Sequence, residues 1–162
     1  MVAAAAGVAP GVANAMCPRR VATAEAAITC LVNNIRLAHG LGSVTWSSTL
    51  AAAGQRHAAD MVRRHYFSHY GLDGSWIVQR IGRSGYLRGA HSWSVGEVIA
   101  YAEHASADPR RIVEAWMESP PHRRILLDGR YRQIGVGIAN GVPFSRDRAQ
   151  ARTFSAEFGV RG

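Results

Sequence analysis

Three residues in this sequence have side chains suited to acid–base or metal chemistry, His69, Glu97 and His122, and each histidine adjoins a helix end with an aromatic residue nearby. His69 closes the run Tyr66-Phe67-Ser68-His69. Glu97 lies in Gly96-Glu97-Val98-Ile99-Ala100, and His122 follows Trp116-Met117-Glu118-Ser119-Pro120-Pro121. Neutral imidazoles suit zinc, and two of them leave coordination positions open for water or a ligand. A carboxylate beside them can orient that water, bind the ion or fix a histidine by hydrogen bonding. The plainer alternative is a buried polar cluster in which Glu97 accepts from both histidines. His57 lies on an apolar helix face, where a hydrogen-bonded core histidine is the commoner outcome.

Several chemistries lack support. There is no His-Glu-x-x-His and no Gly-x-Ser-x-Gly, so neither a helical zinc protease motif nor a serine elbow is present. No phosphate-binding glycine loop occurs. Glu114 and Glu118 share a helix face flanked by arginines, which reads as a solvated ion-pair surface.

The elements that must position these residues follow from periodicity. Ile28, Leu31, Val32, Ile35 and Ala38 form one apolar face of a helix over 23–39, with Thr23 as cap and Gly40 as stop. A short extended link, 42–46, leads to a helix capped by Ser47 or Ser48 and running to about residue 65. Leu50, Ala53, Gly54, His57 and Met61 share its face. A turn at 71–74 precedes a helix over 76–83. The stretch 87–94 reads as a loop, and 95–101 is ambiguous between strand and helix. Asp108-Pro109 starts another helix, because proline in the first turn lacks only an N–H that would be unpaired anyway. A short helix spans about 121–127. Residues 133–139 and 153–158 alternate as strands, joined by the polar loop 141–151. Helices first and strands last indicate an α+β sandwich.

The chain has 162 residues, one domain's worth, and no stretch approaches the ~20 apolar residues that span a bilayer. All 19 basic residues are arginines and the net charge is +8. Such charge favours anionic partners, an anionic envelope polymer or lipid headgroups among them, or else reflects compositional bias. The arginines are scattered in pairs without an aromatic-lined strip, so no specific nucleic-acid binding is expected. Residues 1–15 are small and apolar and end Ala13-Asn14-Ala15, which suits signal cleavage although a basic start is missing. They read as a truncated signal peptide, with 16–162 as the domain. On export, Cys17 and Cys30 can form a disulfide; otherwise they are free thiols.

In order and spacing the segments resemble the bacterial branch of the CAP superfamily: cysteine-rich secretory proteins, antigen 5 and pathogenesis-related 1 proteins. The resemblance covers about 17–159. It is carried by Cys30–Arg36, Leu50–Ala53 through Met61, Tyr66-Phe67-Ser68-His69, Arg80-Ile81 through Gly85-Tyr86, Gly96-Glu97, Glu114–Arg123, Ile125–Leu127, Ile134–Gly137 and Phe154–Gly159. It implies a three-layer α-β-α sandwich with a central antiparallel sheet and a cleft of two histidines and two acids able to hold a divalent metal, often zinc.

Carried over by motif, the cleft histidines are His69 and His122 and the first acid is Glu97. The second acid belongs three residues after the motif tryptophan, where this chain has Ser119; Glu118 is one step early, about 100° away around a helix. Val98 replaces the usual asparagine, and Pro121 the usual glycine. The implied protein is a secreted, monomeric binding module for a lipid or envelope ligand rather than an enzyme. The alternative is a zinc hydrolase with His69 and His122 as ligands and Glu97 as base.

Overall fold

A computed structural model describes residue 17 and residues 22–144 and 150–162; the expected leader, 1–15, lies outside these. Helix α1, Ala24–Ala38, begins where the Thr23 hydroxyl accepts from the Ala26 N–H at 3.2 Å. The two-residue strand β1, Thr45–Trp46, leads through the Ser47 cap into α2, Ser48–Arg64, which ends at His65 in the left-handed conformation. Helix α3 covers Ile77–Arg83 and strand β2 Trp93–Glu103. A 3-10 turn, His104–Ala107, precedes α4, Pro109–Glu118, capped by Asp108 with proline first as expected. Helix α5, Pro120–Leu126, is followed by β3, Gln133–Asn140, and β4, Ala151–Arg161.

The sheet order is β1-β3-β4-β2. The three long strands are antiparallel, as expected, while β1 joins the edge in parallel through Thr45 and Trp46. Residues 95–101, ambiguous from sequence, are the centre of β2. The strand also takes in residues 93 and 94, assigned to a loop by sequence. Cys17 and Cys30 form a disulfide, S–S 2.02 Å, which ties the chain ahead of α1 to that helix.

The two faces of the sheet are covered by different means. Val98, Ile134, Val136, Phe154, Ala156 and Phe158 pack against Ile28 and Val32 of α1 and Val113 and Trp116 of α4. On the other face α2 lies almost directly on β3. A Cβ on Gly135 would fall 2.0 Å from the Ala51 nitrogen, and one on Gly137 would fall 1.9 Å from the Gln55 nitrogen. Those glycines let helix and strand backbones touch. Because α2 sits so low, the polar residues of β4 on this side, Thr153, Ser155 and Glu157, are buried rather than solvated. On the first face, Arg36 is wholly buried and donates to the carbonyls of Gly42, Leu126, Asp128 and Tyr131, which clamps the α5–β3 connection to α1.

Candidate functional site

Glu97 lies in mid-β2 on the side covered by α2, at 4 % exposure. Directly opposite it in the antiparallel register is Glu157 of β4, also buried. Two facing carboxylates with no access to water cannot both ionise without large cost. They divide the work. Burial pushes the Glu157 carboxyl well above its usual range, and the charge on Glu97 pushes it further. Burial alone would also raise Glu97, but the hydrogen bond from His69 and then the charge of Arg80 outweigh it and hold that carboxyl low. Glu157 therefore keeps its proton and donates to Glu97, while the Ser155 hydroxyl donates to Glu157 Oε1 at 2.9 Å. Among the described residues, no neighbouring N–H or O–H reaches Glu157 Oε2, as expected for an acid that supplies the hydrogen itself.

The Glu97 carboxylate is held from three directions. Its Oε1 accepts from His69 Nδ1 at 2.6 Å, and its Oε2 accepts from the Arg80 guanidinium at 2.5 Å. Arg80 comes from α3 and is fixed in turn by donation to the Ser75 carbonyl at 3.0 Å. His57, on α2, stands 3.8 Å from Glu97 Oε2 and donates from Nε2 to the Ser68 carbonyl at 3.1 Å. Burial lowers the His57 pKa despite the nearby carboxylate, so its ring is neutral and Arg80 is the formal counter-charge. These contacts bind the 66–70 loop, α3 and the sheet into one polar cluster.

His69 sits at the outer edge of the cluster, half-exposed. Its Nδ1–H is committed to Glu97, so in the neutral ring Nε2 carries the lone pair. His122, in the first turn of α5, is half-buried. Its pKa is lowered by burial, with the charge of His69 a smaller cause. Glu97 is in contact with His69 but has no hydrogen bond to His122. Among the described residues, no three histidine, cysteine or carboxylate side chains are grouped to hold an ion together.

Glu118 is exposed on α4, and Ser119 lies between α4 and α5. The second carboxylate of the cluster is Glu157, from the last strand. The sequence carried only a faint sign of it: a charged residue within an alternating strand. Arg80 stood within a resembling stretch without an assigned role, and His57 is the buried, hydrogen-bonded histidine expected of its helix face.

A helical layer on each side of a mixed four-stranded sheet, with a His–carboxylate cluster beneath one of them, defines an α-β-α sandwich of the CAP type. The chain belongs to that family: residues 30–146 match the Cysteine-rich secretory protein family, CAP. It is 34 % identical over 116 residues to the uncharacterized membrane protein YlbC of Bacillus subtilis (strain 168), an alignment covering 72 % of this chain and 32 % of YlbC. It is 29 % identical over 124 residues to the uncharacterized protein YkwD of the same organism, covering 74 % of this chain and 44 % of YkwD. The chain thus spans less than half the length of either relative.

Among solved structures, an extracellular protein with an SCP domain from Bacillus anthracis str. Ames superposes with a TM-score of 0.68 at 25 % identity, over 83 % of this chain and 39 % of that one. An outer surface protein of Borrelia burgdorferi shares the fold, with a TM-score of 0.68 at 20 % identity over 84 % of this chain and 91 % of its own.

Proposed function

We propose that this domain is an extracellular binding module in which His69 and His122 hold a divalent cation of the zinc class, with Glu97 as the group that orients His69. The observation carrying this reading is the 2.6 Å contact between His69 Nδ1 and Glu97 Oε1, with Glu97 itself anchored by Arg80. A carboxylate on Nδ1 fixes the tautomer, directs Nε2 outward and raises its basicity, as metal-bound histidines require. These features support that donor set. Glu97 is assigned the orienting role and not that of a ligand, because both its oxygens are engaged. Two imidazoles leave the remaining positions to water or to an envelope ligand.

A hydrolase with Glu97 as general base has weaker support. A carboxyl held below its ordinary range by a histidine and an arginine is a poor proton acceptor. Secretion through a leader at 1–15 is part of the proposal, and the Cys17–Cys30 disulfide supports an oxidising compartment.

Zinc calorimetry on the wild type beside His69→Ala and His122→Ala tests the reading. The expected result is one zinc per wild-type chain and at least a tenfold loss of affinity in each variant. Three identical titrations would overturn it.

A further inference from the structure

One stripe of α2 carries Arg56, His57, Asp60, Arg63 and Arg64, spaced as successive turns of a single helix face. Opposite it stand the 71–75 turn, Arg80 and Arg83. Between them lies a concavity of ≈ 360 Å³. Its walls bring five guanidiniums together against two carboxylates, and those carboxylates are already spoken for. Asp60 is paired with Arg63 at 2.5 Å and accepts from the Tyr66 hydroxyl at 2.8 Å; Asp73 is paired with Arg83 at 3.0 Å. Arg64 reaches Asp60 only at 3.8 Å, beyond hydrogen-bond range. Arg56 makes no ion pair among the described residues. At the inner wall Arg80, only 9 % exposed, spends two nitrogens on Glu97 and Ser75, and its buried Nε has no acceptor among the described residues. A buried N–H without a partner is costly, and here it borders a groove whose surplus charge is positive.

We propose that this groove is a binding site for a phosphate group carried on an organic substituent, such as a phosphomonoester or a phosphodiester headgroup. Guanidiniums arriving from two walls match an anion with several acceptor oxygens, and arginine pairs with phosphate through two parallel hydrogen bonds. The volume exceeds that of a bare phosphate and leaves room for the substituent. Arg80 and His57 border both this groove and the Glu97 cluster, but neither His69 nor His122 lines the groove, so Arg56 and Arg64 can be replaced without touching the cation site.

The test uses glycerol 3-phosphate in an NMR titration at low salt, and sedimentation with phosphatidylglycerol against phosphatidylcholine vesicles. Saturable binding to glycerol 3-phosphate identifies a free phosphoester as ligand. Binding confined to phosphatidylglycerol vesicles identifies a lipid headgroup. Either supports the site when Arg56→Gln/Arg64→Gln weakens binding at least tenfold and leaves zinc binding intact. These two arginines are exposed, so the variant is expected to fold. A control, Arg110→Gln/Arg111→Gln, removes the same charge from α4, in the opposite helical layer. If the control weakens binding equally, the attraction is diffuse and the site is overturned. It is overturned also if no saturable binding occurs, or if the groove variant binds like the wild type.

Discussion

Replacing Arg80 with methionine should destabilise the domain more than any surface change, because it leaves the Glu97 carboxylate buried without its counter-charge. Methionine fills much of the same volume, so the effect reports charge and hydrogen bonding more than a cavity. Glu97 is 4 % exposed and its Oε2 would lose a 2.5 Å donor, while Oε1 would keep His69. Removing one partner of a buried pair costs about 3–5 kcal/mol. At roughly 2–4 °C per kcal/mol for a domain of this size, the melting temperature should fall by about 6–20 °C.

The pH dependence carries the sign. In the wild type, Glu97 is held below its ordinary value, so its contribution is present above the unfolded carboxyl pKa and is lost as pH falls. In Arg80→Met, burial dominates and the carboxyl rises above the unfolded value. Its contribution is then present in acid and lost as pH rises. The gap between the two proteins should narrow toward about pH 5. Adding Glu97→Gln to Arg80→Met should recover a large part of the loss, since a neutral amide still accepts from His69. Thermal melts by circular dichroism at two pH values, arranged as a double-mutant cycle, measure all three effects. A penalty below about 1 kcal/mol, or one that does not change with pH, would refute the assignment of Arg80 as the counter-charge.

Three further outcomes follow from the same packing. Glu157→Gln should match the wild type in mild acid and exceed it in urea stability at alkaline pH. The raised Glu157 carboxyl favours the fold below the unfolded value and loses that contribution as pH rises; an equal difference at pH 5 and 9 would contradict the shared-proton arrangement. Gly137→Ala should cost at least about 3 kcal/mol, the upper end for overpacking, since its Cβ would meet backbone atoms of Gly54 and Gln55 that cannot turn aside; a variant melting within a few degrees of the wild type would show that α2 can lift off β3. Reduction of Cys17–Cys30, 13 residues apart, should cost about 3 kcal/mol by the chain-entropy estimate, read as a lower melting temperature in reductant; unchanged melting would mean the crosslink constrains nothing.

Much of the architecture was legible because single-faced elements advertise their period. α1 and α4 bury one stripe, and their caps at Thr23 and Asp108 stand in the sequence as written. Residues 95–101 were not legible because Gly96 through Ile99 are buried on both sides of the sheet, which erases the alternation that marks a half-exposed strand. The strand β1 is two residues long and pairs in parallel, too little for any pattern.

Of the site, His69, Glu97 and His122 stood out by residue type and motif, and the contact between His69 and Glu97 follows from their placement. The resemblance puts no acid at the fourth cleft position, where this chain has Ser119 with Glu118 one step early, while in the structure Glu97 faces a second carboxyl group, Glu157, in the last strand. Only the register of β2 with β4 brings 97 opposite 157, and register is a property of the folded sheet. Arg80 was equally hidden, since a lone arginine on a short helix has no pattern that distinguishes a buried counter-ion from a surface charge.

Glu97 holds His69 through Nδ1, and the proposed cation site needs that nitrogen protonated and Nε2 free. Long-range proton–nitrogen NMR of the imidazole rings, recorded before and after one equivalent of zinc, tests it directly. The predicted result is an Nε2 of His69 unprotonated in the free protein, shifting with zinc together with a ring nitrogen of His122. A proton found on Nε2 in the neutral ring would overturn the hydrogen bond from His69 to Glu97, and rings indifferent to zinc would overturn the cation site.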